Sequence, residues 1–527
     1  MTSTRATSTR STPPSAPADP AWLRAAAGVV AALLGLGLAQ VLAALFAPSS
    51  APLLAVGDAF VDLTPPWLKD FAVRTFGTAD KAVLLGSAAV ILAGLAAIAG
   101  LLSRRRPRQA EWLVLGLGGV ASLAAVTRPD AGPLAVLPSV LAAVSGAFGL
   151  RFLARRSDAA AGRGGEAPDS PAAGRRSVLL AGGAMAGAGA LAAGTGWWLG
   201  GRVRDVSSSR SAIRLPAAAD PEPPLPAGVE VGVDGVVPFR VPNQSFYRID
   251  TALVVPRITT ADWQLRIHGL VDREVTLTWD QLIGSPLVER DVTLMCVSNE
   301  VGGDLVGNAR WLGLPIAGLL AQAGPAADAD MVLSTSADGW TCSTPLEVLT
   351  DGRDALLAVG MNGVPLPVEH GFPVRMVVPG LYGFVSATKW VVDLEVTRFD
   401  RKQAYWTPRG WSDRAPVKTQ SRIDVPASGA TVRPGPVAVA GVAWAQHRGV
   451  RGVEVRVDGG AWQPARLATE ASVDTWRQWV WPWQATPGKH VIEVRAVDGT
   501  GAVQTGDRRP PAPDGATGWH RTEVTVS

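Results

Sequence analysis

The stretch Asp291-Val-Thr-Leu-Met-Cys296-Val-Ser-Asn299-Glu300-Val-Gly302-Gly303 carries an apolar run into a polar, glycine-bearing loop and places a cysteine at the change. Residues up to Met295 read as a buried strand, and Ser298 to Gly303 as the loop that ends it. A thiolate at a strand end, beside glycines that let the backbone come close, can approach a metal or a large anionic cofactor. The chain has two cysteines, Cys296 and Cys342, too few for a zinc ribbon or a disulfide framework. Cys342, in Gly339-Trp340-Thr-Cys342-Ser-Thr, reads as a small buried hydrophobe. A bridge between the two would remove the candidate metal ligand.

Outward from this stretch, Asn308-Ala-Arg310-Trp311 follows, and a second cluster reads Glu369-His370-Gly371-Phe-Pro-Val-Arg375. It leads into Pro379-Gly380-Leu-Tyr382-Gly383 and then Ser386-Ala-Thr388-Lys389-Trp390. His, Arg and Lys in glycine-rich loops suit a phosphate-bearing ligand, because Arg forks onto phosphate and glycines expose amide donors. Neither a Walker loop nor a dinucleotide fingerprint is present, which excludes an ordinary nucleotide site. Gln264–Gly269 alternates as a half-buried strand does, and Trp279–Ile283 and Pro315–Ala323 read as short helices. An α+β domain is therefore expected to about residue 400. Beyond residue 425 short alternating segments follow (Val437–Trp444, Val453–Asp458, Trp462–Leu467, Gln478–Trp483, Val491–Asp498), with Asp458-Gly459-Gly460 as a hairpin turn. Their spacing predicts an immunoglobulin-like β-sandwich.

From about Phe246 to the C-terminus the chain resembles the sulfite oxidase family of molybdopterin enzymes. The Cys296 loop, the His-Gly-Phe-Pro-Val-Arg run and the Lys389-Trp390 pair stand in the family's order at similar separation. The resemblance implies that Cys296 is the thiolate on molybdenum, and that His370, Arg375 and Lys389 hold the pterin and its phosphate. It implies further cofactor contacts from Tyr247, Arg248, Asn299, Ser386 and Thr388, and a pocket tyrosine at Tyr405. Soft thiolate ligation suits an oxo-molybdenum centre that works by oxygen-atom transfer. The C-terminal sandwich would be the family's dimerisation domain, which implies a homodimer. Sulfite oxidases carry an arginine soon after the ligand cysteine, whereas this chain reads Asn299-Glu300 and has no arginine until Arg310. An acidic residue there repels sulfite. Arg477, in Trp476-Arg477-Gln478-Trp479, is the candidate compensating charge and a candidate catalytic residue. The resemblance implies a small oxyanion such as sulfite as the substrate, with methionine-sulfoxide-type reduction in the same family as the alternative. A non-enzymatic membrane-anchored binding or sensor protein is the alternative from another class.

Upstream the composition changes. Charged residues are 18% of the whole chain and mean hydropathy is +0.18, and the apolar excess lies in the first 200 residues. Five apolar segments can be drawn: Ala25–Phe46, Ala82–Leu102, Trp112–Val126, Leu134–Leu150 and Val178–Leu199. The third and fourth are short enough to be a re-entrant hairpin. Arginines crowd Ser103–Arg108 and Arg151–Arg176, and few lie in Thr127–Pro133. The positive-inside rule then puts the N-terminus and both Arg-rich links in the cytoplasm, and residues 201–527 outside the cell membrane. Clustering between apolar runs, despite a net charge of +4, argues against a nucleic-acid partner. Arg175-Arg176 before Ser-Val-Leu-Leu resembles a twin-arginine export signal, which suits a domain that folds around its cofactor before crossing. All five histidines (His268, His370, His447, His490, His520) lie beyond the apolar segments, so no haem is expected in this chain. A separate cytochrome or quinone-linked protein would carry the electrons. His268 reads as a satisfied strand histidine, with a cofactor contact as the alternative, and His447, His490 and His520 read as surface residues.

The expected architecture is multi-domain. A disordered cytoplasmic tail (1–24) precedes about four transmembrane helices (25–150). An Arg-rich link and a fifth helix (151–200) then lead to an extended linker (201–238). The molybdopterin domain (239–405) and the immunoglobulin-like domain (406–527) complete it.

Overall fold

The computed structural model describes residues 20–46, 48–65, 68, 71–72, 75–76, 79–128, 131–160, 171–203 and 205–527. Residues 1–19 of the expected tail, Lys69, Asp70, Arg74, Arg163 and the Arg175 side chain lie outside the described residues. The chain forms two units, Met1–Arg204 and Asp205–Ser527.

The first unit is helical: α1 (Ala21–Phe46), α2 (Pro52–Leu63), α3 (Asp80–Leu102), α4 (Pro107–Val126), α5 (Leu137–Ala160) and α6 (Pro171–Val203). Five of these helices, all but α2, are long and apolar enough to cross a membrane. The two segments that read as short become α4 and α5, of 20 and 24 residues, each about 30 Å or longer. The amphipathic helix α2 was not anticipated. Helix α1 packs on α3, α5 and α6 through glycines: Gly28 meets the backbone at Ala96 and Gly100, and Gly37 meets it at Gly189. Small residues let helix backbones touch where the hydrophobic effect gives no drive. Arg24 is 1% exposed and donates to Asp158 Oδ1 at 2.6 Å, tying the start of α1 to the end of α5.

The second unit opens with a short helix, α7 (Ser207–Ala212), and a segment expected to be an extended linker. It is instead a strap bound to the domain that follows. Arg210 donates to the Leu366 and Pro365 carbonyls at 2.8 Å, Val206 and Val229 are buried, and Asp220 pairs with Arg290 while the Asp220 carbonyl accepts from the Glu289 amide at 2.9 Å. Composition suggested a free spacer, but these polar contacts and apolar anchors outweigh the chain entropy of ordering it.

The α+β domain follows as β1 (Gln264–Gly269), β2 (Val275–Thr278), α8 (Trp279–Ile283), β3 (Val288–Met295), β4 (Val306–Pro315) and α9 (Ile316–Ala323). It continues through β5 (Met331–Ser336), β6 (Thr341–Pro345), β7 (Leu356–Met361), β8 (Val364–Pro365), β9 (Arg375–Val377) and β10 (Val391–Thr397). Two sheets form: a mixed one ordered β2-β1-β10-β5-β6, in which β1 and β10 run parallel, and an antiparallel one ordered β3-β4-β7-β8, with β9 beside β7. A capping box, Thr278 with Gln281, starts α8, and Gly324 in the left-handed region ends α9. The sandwich comprises β11 (Gln420–Val425), β12 (Thr431–Val432), β13 (Gly435–Trp444), β14 (Val450–Val457), β15 (Gln463–Pro464), β16 (Arg466–Leu467), β17 (Arg477–Ala485), β18 (Gly488–Asp498) and β19 (His520–Val526). Its sheets run β11-β13-β17-β16 and β12-β19-β18-β14-β15. The Asp458-Gly459 turn carries positive φ at both residues and joins the antiparallel pair β14–β15, as its sequence predicts. The separate core of this sandwich includes Val439, Trp479, Trp483 and Ile492.

Candidate active site

Strand β3 pairs with β4 along its whole length, and the turn between them holds Cys296. The Cys296 amide donates to the Leu305 carbonyl at 2.9 Å, and the Asn299 amide to the Cys296 carbonyl at 3.1 Å. Asn299 Oδ1 accepts from the Leu305 amide at 2.8 Å. The loop is therefore closed on itself, with Cys296 9% exposed. Cys296 and Cys342 are both free, and Cys342 is fully buried. Burial pushes the Cys296 thiol up, against hydrogen bonds from Ser298. Tyr247 and Tyr382 stand close enough that a charged Cys296 would raise their phenols, which burial raises already.

Four further residues singled out in the sequence join this neighbourhood. Phe246 stacks on Tyr247 and meets the rings of Trp311 and His370 edge-on. Gly307 on β4 leaves the room that Phe246 fills, since a Cβ there would lie 2.9 Å from its ring. Arg375 on β9 is 5% exposed, lies over Trp311, and feels the Tyr247 phenol. Its guanidinium donates to the carbonyls of His370, Met376 and Ala387 at 3.2–3.4 Å. Among the described residues no carboxylate pairs with it, and burial lowers it to about 10. His370 bonds through Nε2 to the Asn243 carbonyl at 3.0 Å. Burial and then the Arg375 charge hold the ring neutral by lowering it to about 4. Lys389 and Arg248 share Asp250, at 2.8 and 2.9 Å, and that carboxylate is 4% exposed. Burial lowers the Lys389 ammonium to about 8 despite Asp250.

A neutral His370 makes the unit acid-sensitive. Above pH 6.5 the ring is neutral folded and unfolded. As pH falls from 6.5 to about 4 the unfolded chain takes a proton that the fold refuses, so stability is lost across that window. The loss is on the order of 3 kcal/mol, and His520, lowered to about 4 chiefly by burial, acts in the same direction. Thermal midpoints of the cofactor-free chain from pH 7 to 4 should fall less steeply in His370→Gln than in the parent. Equal slopes would contradict the buried neutral ring.

Other expected site residues stand differently. The Ser386 hydroxyl donates to the Leu381 and Tyr382 carbonyls, and the Thr388 hydroxyl bonds Ser334 at 2.7 Å. Both residues are fully buried, so their side chains are engaged with protein and only their backbone remains to offer. Tyr405 binds the Thr341 side chain through its amide, and its ring packs on Trp406 and Arg409. Arg477 on β17 donates to the Ala468 and Val450 carbonyls at 2.7 and 2.9 Å. These bonds, with Glu470 at 3.9 Å, lie inside the sandwich, which removes the argument for it as a compensating charge at the cysteine loop. His268 and His447 pair with Asp393 and Asp474 at 3.0 and 3.2 Å, and His490 with Asp458 at 2.7 Å. His520, expected on the surface, is half-buried against Gly302 of the cysteine loop. Sequence reasoning missed Asp250 and Asn243. The Arg-Ile-Asp spacing at 248–250 was a usable signal for the first, and nothing local marked the second.

A buried cation without an anion and a buried thiol meet the needs of an anionic metal cofactor. The comparisons point the same way. Residues 252–406 match the family model described as the oxidoreductase molybdopterin binding domain, and residues 420–494 match the bacterial Ig domain. Mitochondrial sulfite oxidase of Homo sapiens is 30% identical over 346 residues, covering 55% of this chain and 62% of that protein. The uncharacterized oxidoreductase YuiH of Bacillus subtilis is 32% identical over 152 residues, covering 29% of this chain and 73% of that one. The chain belongs to the sulfite oxidase family of molybdopterin-binding oxidoreductases. It spans less than two thirds of the length of the human family member. Among solved structures, the sulfane dehydrogenase SoxCD of Paracoccus pantotrophus gives a TM-score of 0.48 at 24% identity, over 56% of this chain and 82% of that one. The cofactor that family membership implies is molybdenum-molybdopterin. The residues fit it: Arg248 and Lys389 share the single carboxylate Asp250, and Arg375 is buried with no carboxylate partner among the described residues. Asn299 Nδ2 is also buried without an acceptor, and an acceptor-rich anionic group would satisfy such donors.

Proposed function

We propose that this chain is an extracytoplasmic molybdenum oxidoreductase that moves one oxygen atom between water and a small sulfur-centred substrate. The observation that supports this most is Arg375, buried with no carboxylate partner among the described residues, with Tyr247 in electrostatic reach of both it and the buried Cys296 thiol. When bound, the cofactor supplies two-electron oxygen-atom transfer. Cys296 would ligate the metal; Arg375, Lys389 and Arg248 would hold the phosphate end; and neutral His370 offers Nδ1 as an acceptor. Tyr247, Asn299 and the backbone at Ser386 and Thr388 would complete the cradle, with Tyr405 at its edge. Substrate oxidation consumes one water and releases two protons, with two electrons leaving to a separate cytochrome or quinone-linked partner. Five long apolar helices and the arginine distribution support a multi-pass anchor with residues 201–527 outside, exported through Arg175-Arg176. The immunoglobulin-like domain would form the homodimer.

Sulfite is the substrate that the family suggests first. The exposed Glu300 and Asp304 on the cysteine loop favour a second reading, a neutral sulfoxide reduced by the reverse electron flow. The loaded chain should be assayed with sulfite and ferricyanide, and with a dialkyl sulfoxide and reduced viologen. Glu300→Gln should lower the KM for sulfite about two- to five-fold and leave that for a neutral sulfoxide unchanged. Turnover of neither substrate by the loaded chain would overturn the sulfur-centred assignment.

A further inference from the structure

The loop that follows Cys296 is gripped from outside its own domain. Arg422 on β11 is 9% exposed. It donates through Nη1 to the Gly303 carbonyl at 3.0 Å, and through Nε to Asp424 Oδ1 at 2.6 Å. The next residue, Ile423, donates its amide to His520 Nδ1 at 2.9 Å. That ring fills the space a Cβ at Gly302 would need, and Gly302 holds φ +82. Arg422, His520, Gly302 and Gly303 are thus one contact.

A second grip acts on the strand before the cysteine. The Thr293 amide donates to the Asp474 carbonyl at 3.0 Å, and its hydroxyl accepts from the Trp476 amide at 2.8 Å. Gln446 Nε2 donates to the Thr293 carbonyl at 3.2 Å, and Trp444 Nε1 reaches Met295 Sδ at 3.1 Å. Both arms flanking Cys296 are therefore tied to the sandwich. Gly303 is half-buried, and its carbonyl takes its donor from Arg422.

We propose that Arg422, backed by His520, is a positioning residue for the Cys296 thiol, so that the immunoglobulin-like domain sets the geometry of the active site as well as any dimer contact. Cofactor ligation by Cys296 rests on the function proposed above. The geometric inference does not, because it can be tested without the cofactor.

The two cysteines supply the test. Cys296 ends the gripped loop, while Cys342 lies fully buried on β6 with its partners inside the α+β domain. Full-length chain from a host that cannot make molybdopterin is alkylated under native conditions in detergent, and each cysteine is quantified by peptide mass spectrometry. In Arg422→Ala the Cys296 rate should rise about tenfold or more while the Cys342 rate holds, and Arg422→Lys should restore most of the protection. An unchanged Cys296 rate, or a parallel rise at both cysteines below the thermal transition, would overturn the proposal. If Arg422→Ala does not fold, with Cys342 reacting as fast as in urea, His520→Ala is judged by the same two criteria. Molybdenum loading of the parent chain reports separately on the function itself.

Discussion

Arg375→Met should strip the chain of its pterin without weakening the cofactor-free fold. The guanidinium is 5% exposed and has three long bonds to carbonyls, at 3.2–3.4 Å, in place of a counter-charge. Burying an uncompensated ion costs several kcal/mol after relaxation, and apolar replacements of buried charges are often neutral or stabilising by about 1–4 kcal/mol. Methionine has a similar reach and fills the space under Trp311. The cofactor-free variant should therefore unfold at the parent's temperature or above it. Cofactor retention moves the other way. Removing one partner of a buried charged contact costs about 3–5 kcal/mol, so pterin content after dialysis should fall at least a hundredfold in relative affinity. Differential scanning fluorimetry and pterin fluorescence on the same sample check both halves. A variant that loses stability and keeps its pterin would show that Arg375 serves the fold alone.

Cys296→Ser should separate pterin binding from chemistry. Its side chain is nearly isosteric, and the loop bonds at Leu305 and Asn299 use backbone and Asn299 atoms, so the fold should hold. The phosphate end, at Arg375 and Lys389, is untouched, so pterin should remain bound. A hydroxyl in place of a thiol is a harder and far less acidic ligand, and activity should drop at least about a thousandfold, a loss of roughly 4 kcal/mol in transition-state stabilisation. The molybdenum absorption spectrum should change with it. Full activity in this variant would remove Cys296 from the site.

Much of this candidate site was legible in the sequence. Cys296, His370, Arg375 and Lys389 each stand in a short run whose residue types carry their chemistry locally, and strand periodicity placed β1, β3 and most of the sandwich. Three things were not legible, each for a physical reason. The strap over residues 205–238 has the composition of a spacer, and its order comes from contacts such as the Asp220–Arg290 ion pair, whose partner lies on another element. Ser386 and Thr388 were expected to offer main-chain and side-chain contacts, yet the Ser386 hydroxyl is taken by the Tyr382 carbonyl one turn back and the Thr388 hydroxyl by Ser334 on β5. His520 lies far along the chain from Gly302, and only the packing of β11 and β19 brings it to the cysteine loop. Pairings of high sequence separation leave no local trace, which is why Arg477 looked available and Arg422 did not stand out.

The most direct test is to measure molybdenum and pterin in the full-length chain purified from a molybdopterin-producing host. We expect both near one equivalent per chain, with pterin lost in Arg375→Met and retained in Cys296→Ser. A folded parent chain with neither, from a host that loads a control molybdoenzyme, would contradict the account and favour a membrane-anchored binding protein.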